Sequence, residues 1–353
     1  MTTFRNADFH INAPGALIAA LPAVLGFVPE RSLVLITFDD GEMGCVMRID
    51  LSDDVFDAVG HIADVAATAG PDAAIAVIVD EDAAQCRMCK DEHRLLADDL
   101  DGALSGCGID LFGVYVVDRV AAGGRWHCAD GRDRVGTVED PTASPMAAAA
   151  VLDGRRLYSR RADLQAVIAP ADPVRTAALR GVVKAGTDAA TVDADQRPDV
   201  QARADVEHAM AMAAGAVDGR CPSDTDLARL AYGLTDPRVR DTLYALAVGR
   251  DAAPAETLWV LLARTLPDPW RAEALVLLAF SAYARGDGPL AGVSLEAALQ
   301  CNPRHRMAGM LDKALQSGMR PEQIRELGLT GYRLAKQLGV KLPPRQSFGR
   351  RAG

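Results

Sequence analysis

The chain has 353 residues, a formal net charge of −10, 49% apolar residues and 24% charged ones. That balance excludes extensive disorder and gives room for two packed domains. No apolar run approaches the ~18–20 residues of a membrane span, the amino-terminal segment has no apolar signal region, and the 7 cysteines are scattered and odd in number, unlike a disulfide framework. A cytoplasmic protein with no membrane partner is the expectation.

Residues 1–172 read as an α/β domain. Ser32–Phe38 is an apolar run closed by Asp39-Asp40-Gly41, a strand and a turn, and Cys45–Leu51 alternates and returns as its hairpin partner. Val55–Ala69 has a helical period ended by Gly70-Pro71. Ala74–Val79 is a buried-type strand, a second helix ends near Gly106, Leu111–Val117 is another strand, and Arg125–Cys128 follows a Gly-Gly turn as a hairpin. This order predicts a mixed sheet with helices packed on it. Ser144-Pro145, Ser159 and Asp172-Pro173 read as helix starts. Residues 173–220 read as a helical linker region.

Residues 221–342 read as all-helical, with 343–353 a loose basic tail. Asp236-Pro237, Asp268-Pro269 and Asn302-Pro303 resemble helix caps, with their prolines 32 and 34 residues apart, a helix-hairpin repeat length. Ala272–Pro303 resembles one tetratricopeptide repeat: Leu275, Leu278, Ala279, Ala282 and Tyr283 form one stripe, and Ala291, Leu295 and Ala298 follow Gly286-Asp287.

The stretches Pro22–Leu35, Ser144–Gly154 with Ser159-Arg160, and Arg240-Asp241, Trp259, Arg264 and Pro267 resemble the actinobacterial family known as domain of unknown function 4192. The resemblance implies a shared architecture and a bacterial cytoplasm, with no assigned activity. Many relatives have extra cysteines after the position matching Cys128; here Ala129–Gly136 contains none.

No glycine-rich nucleotide loop, zincin helix or Gly-x-Ser-x-Gly elbow is present. Three residue groups bear on chemistry. Cys86, Cys89 and His93 share one face of a helix, and Cys128 or His127 from the later hairpin completes a possible tetrahedral zinc site. The alternative is a buried stripe, since that face continues through Leu96, Leu100 and Leu104. Asp39, Asp80, Asp82 and Asp118 follow strands, and if those strands are parallel the carboxylates gather at one sheet edge, where magnesium and a phosphorylated substrate would fit. The alternative is ordinary turn and cap chemistry. Last, residues 301–353 hold 11 Lys and Arg against 3 Asp and Glu, a net +8 against −18 for the remainder, which suits an acidic partner such as nucleic acid. Two functions follow: a non-catalytic adaptor or regulatory protein that binds a protein partner through its helical half, or a divalent-metal enzyme that uses the sheet-edge carboxylates.

Overall fold

The computed structural model describes residues 13–52, 54–84, 87–129, 134–152, 155–191 and 197–346, without the side chains of 83–84, 87–89 and 187–191. The chain divides into two compact units, Met1–Leu164 with Ala314–Gly318, and Gln165–Lys313 with Met319–Gly353.

The first unit is a six-stranded mixed sheet with helices. It contains α1 (Pro14–Leu25), β1 (Ser32–Asp39), β2 (Glu42–Asp50), α2 (Val55–Ala67), β3 (Ala73–Val79), α3 (Arg87–Gly106), β4 (Asp110–Val117), β5 (Arg125–Cys128), β6 (Val135–Thr137), α4 (Pro145–Leu152) and α5 (Arg161–Gln165). The strand order is β2-β1-β3-β4-β5-β6. Only β3 and β4 are parallel, joined through α3, as two buried apolar strands separated by an amphipathic helix require. The other neighbours are antiparallel.

Strand alternation assigns the faces. Leu33, Leu35, Ala76, Ile78, Val114 and Val116 form one core with α2 and α3, through Val59, Ile62, Leu96, Leu100 and Leu104. α1 and α4 pack together through Ala20, Ala23, Met146, Ala147 and Ala150. Ser144 Oγ accepts from Ala147 N at the start of α4, the expected cap. Ser159 does not act this way: α5 begins at Arg161, and the Asp163 carboxylate accepts from Arg160 N instead. On the other side of β5, Trp126 meets Tyr115 edge-on at 5.6 Å and donates Nε1–H to Thr137 O. A Cβ on Gly136 would stand 2.6 Å from the Trp126 ring, so only glycine fits on β6 there.

The second unit is helical: α6 (Pro173–Thr191), α7 (Asp199–Val217), α8 (Asp224–Gly233), α9 (Pro237–Leu243), α10 (Ala252–Thr265), α11 (Arg271–Arg285), α12 (Gly288–Cys301), α13 (Arg306–Gln316) and α14 (Pro321–Leu338). Residues 173–220 are not a linker. α6 packs on α8, and α7 packs on α8, α9 and α10. Leu179, Val183, Ala202, Val206, Ala209 and Ala213 are buried there. The polar spacing that suggested a linker belongs to helices that bury one narrow, alanine-rich stripe.

α11 and α12 form the helical hairpin that Ala272–Pro303 predicts, with Gly286 left-handed at the end of α11 and the Asp287 carboxylate accepting from Leu290 N. α11 is buried nearly all round, with α10, α12, α14 and the 3₁₀ segment Tyr244–Val248 against it. The Asx-Pro pairs do not mark equal units. Asp236 caps α9 as expected, but Asn302 ends α12, Trp270 rather than Asp268 precedes α11, and His305 caps α13 through Nδ1, which accepts from Ala308 N. Among the described residues no helix is long and apolar enough to cross a membrane.

A titratable group in this unit yields a pH test. His208 on α7 lies with Nε2 3.7 Å from Asp226 Oδ1. Burial, then the nearby Arg229, lowers its pKa below the usual value, and Asp226 opposes them. The unfolded chain therefore protonates more readily than the folded one. The stabilisation is complete above about pH 6.5 and is lost as pH falls through the lowered value. His208→Gln is expected to flatten the loss of melting temperature between about pH 7 and pH 5 relative to wild type. An unchanged slope would show that His208 does not contribute.

Candidate functional site

The site with the most chemistry lies where β3 ends. Asp80 follows Val79 and keeps the parity of Ile78, which puts its side chain on the face that α3 covers. His93 stands on α3, and its Nε2 meets Asp80 Oδ2 at 3.0 Å. Both are mostly enclosed, with side-chain exposures of 8% for His93 and 14% for Asp80. The carboxylate holds the proton on Nε2, so Nδ1 is left as the acceptor nitrogen. Burial lowers the His93 pKa, while Asp80 opposes that shift. The ring is therefore neutral near pH 7 and its Nδ1 carries a free lone pair.

His127 joins this face. It pairs with Val116, which pairs with Ile78, which pairs with Leu33, so the four form one cross-strand row on the α3 side. Burial, then Lys90 and His93, lowers its pKa. Cys128 pairs with Tyr115 and lies on the opposite face with Trp126. The proposed Cys128 ligand is therefore corrected: strand alternation separates it from His93, and His127 is the hairpin residue on the correct side. Cys86 lies outside the described residues, as does the side chain of Cys89.

The carboxylates do not gather as the parallel-strand expectation required. β1 runs antiparallel to β3, with Phe38 opposite Ala73, so Asp39 stands at the other edge of the sheet. Asp80 and Asp118 do share an edge, since Asp80 N donates to Val117 O. Their carboxylates have separate partners, however. Asp118 accepts from Arg125 N at 2.8 Å and faces Arg119 and Arg125. Asp82 is exposed, and its N donates to Asp80 Oδ1 in an Asx turn. Among the described residues no three His, Cys, Asp or Glu side chains form a group able to hold a metal ion. Cys45, Cys107, Cys128, Cys221 and Cys301 are in no disulfide, and burial pushes the pKa of the Cys45 thiol up to about 11.

The basic end is partly tied down. Residues 343–346 are not loose. Arg250 N donates to Pro344 O and Gln346 N to Val248 O, each at 3.0 Å, and Gly249 and Arg345 form an antiparallel bridge. Tyr332 OH donates to Pro343 O, and the Arg345 guanidinium lies 4.9 Å from the Tyr332 ring centroid. The Pro344 carbonyl and the Gln346 N–H of this segment pair with residues 248–250 of the helical unit, which holds the segment extended. Arg350 and Arg351 lie outside the described residues.

Sequence reasoning did not reach two groupings. Asp80 and His93 are 13 positions apart with no local pattern linking them; only the β3–α3 connection brings them together. Arg197, Asp205 and Asp236 form a buried ion network in the second unit, with Arg197 to Asp236 at 2.8 Å and Arg229 to Asp205 at 3.0 Å.

A family model described as Domain of unknown function (DUF4192) matches residues 14–322. No curated protein matches the chain, and no solved structure does.

Proposed function

The chain belongs to the family of the domain of unknown function DUF4192, and from that premise we propose that it is a cytoplasmic, non-catalytic adaptor or regulatory protein whose helical unit binds an extended segment of a protein partner. The supporting observation is the way this unit holds its own residues 343–346. Two main-chain hydrogen bonds to Val248 and Arg250 fix the strand, and Tyr332 contributes one hydrogen bond and one cation–π face. Main-chain pairing for affinity, with a side-chain contact for specificity, is how extended peptides are recognised. A depression of about 210 Å³ beside the segment is lined by Glu322, Glu326, Leu329 and Arg325 among others. Its carboxylates favour a basic residue in the partner, as Arg345 is in the chain's own segment. The surface is built on α14 and the Tyr244–Val248 segment, both of which pack on the buried helix α11.

In this reading the segment occupies the groove and a partner displaces it. The amides of Arg250 and Gln346 are therefore expected to exchange with solvent through local opening, far faster than those of α11 around Leu277 and Phe280. Protection equal to that of α11, measured by amide hydrogen exchange, would make the segment a fixed part of the core and refute the reading.

A further inference from the structure

Residues 343–346 run between two depressions. Arg345 and Gln346 line the one of about 210 Å³, and Pro343 lines another of about 250 Å³. Met210, Ala214 and Val217 of α7, with Leu246 and Pro254, form the apolar walls of the second. Small-molecule sites hold ~300–1,000 Å³, so this volume suits one side chain rather than a free ligand. The Pro343 ring is short and only half-buried, so it covers this apolar surface without filling it. Carboxylates stand at both depressions, Asp218 and Asp251 at one and Glu322 and Glu326 at the other. Asp218 pairs with Arg220 and Glu322 with Arg325, which leaves Asp251 and Glu326 without an ion-pair partner among the described residues. The groove therefore favours a positively charged segment. Tyr332 fixes the spacing between the two ends: its OH donates to Pro343 O, and its ring faces the Arg345 guanidinium. Residues i and i+2 of an extended segment share a face and stand about 6–7 Å apart.

We infer that the groove selects a basic partner segment with a long apolar side chain, leucine or methionine, two positions before its arginine or lysine, and that the depression at Met210, Val217 and Leu246 seats this side chain. The inference rests on the reading of the groove as a peptide site and specifies the partner. A single apolar anchor in a pocket, with polar contacts around it, is how a short segment gains most of its affinity. The chain's own Pro343-Pro344-Arg345 has the cation and the spacing but a short anchor, so it closes the groove less tightly than such a partner does.

The test uses the full chain with its own segment as the reporter, read by amide hydrogen exchange at Arg250 and Gln346. Pro343→Leu and Pro343→Ala lose the same ring constraint, so the difference between them reports the depression. Exchange in Pro343→Leu is expected to be at least about tenfold slower than in Pro343→Ala, since even one methylene in a fitted apolar pocket contributes that much. Ala214→Leu fills the depression from the exposed side of α7 and is expected to abolish the difference. Exchange at Leu277 of α11 checks that every variant is folded. Equal exchange in Pro343→Leu and Pro343→Ala, with the segment still opening faster than α11, overturns the apolar anchor and leaves the peptide site standing. A difference that survives Ala214→Leu places the added side chain elsewhere and also overturns the anchor. Protection at the level of α11 in the wild type refutes the peptide site itself, and the anchor with it.

Discussion

Arg197→Ala is expected to destabilise the helical unit by about 3–5 kcal/mol, the cost of removing one partner from a buried ion group. Arg197 is 8% exposed at its side chain and bonds Asp205 of α7 and Asp236, the cap of α9, which are 3% and 8% exposed. Its guanidinium also lies 4.7 Å from the Tyr232 ring centroid. Without it, among the described residues, Asp205 keeps Arg229 and Gln201, and Asp236 keeps Arg238. Two carboxylates then sit in low dielectric with reduced compensation. At ~2–4 °C per kcal/mol for a unit of this size, the midpoint should fall by roughly 6–20 °C. Arg203→Ala is the control. That residue makes an i,i+4 pair with Glu207, both 49% exposed, and should cost only about 0.3–0.5 kcal/mol. Equal effects of the two variants in thermal melts would contradict the role of the network.

Phe280→Ala should be comparably severe for a different reason. Phe280 lies on α11 at 1% exposure, with its ring 4.7 Å from that of Tyr244. Truncation removes a buried aromatic and leaves a cavity where helices meet on every side, so relaxation is limited. About 3–5 kcal/mol is the expected cost. Phe112, 50% exposed at the start of β4, is the comparison; truncating it should change stability by less than about 1 kcal/mol. Urea denaturation of both variants separates the two outcomes.

The α/β half was largely legible because its signals are local. Ser32–Phe38 and Ala74–Val79 are apolar runs that turn residues bound, and both are strands within a residue of the expected limits. α1 has no one-sided stripe to announce it, because its apolar residues surround the helix and Pro22 stands inside it. β6 has only three residues and no pattern of its own. The direction of β1 relative to β3 is a long-range fact; it placed Asp39 away from Asp80, and no spacing in the sequence encodes it. The adjacency rule did put His127 and Cys128 on opposite faces, but deciding which of them meets α3 required the register with β4. In the helical half, the Asx-Pro pairs predict helix starts. A side chain of His305 in the better position took over that role at α13.

In the proposed reading the helical unit binds an extended, basic, proline-containing segment that residues 343–346 mimic. The decisive measurement titrates a labelled peptide of residues 341–353 into a chain ending at Val340 and into the full chain, read by fluorescence anisotropy. Saturable one-to-one binding to the shortened chain is expected, with loss of that binding in Tyr332→Ala and markedly weaker binding to the full chain, whose groove is filled in cis. No binding to a folded shortened chain, or equal binding to both chains, would contradict it.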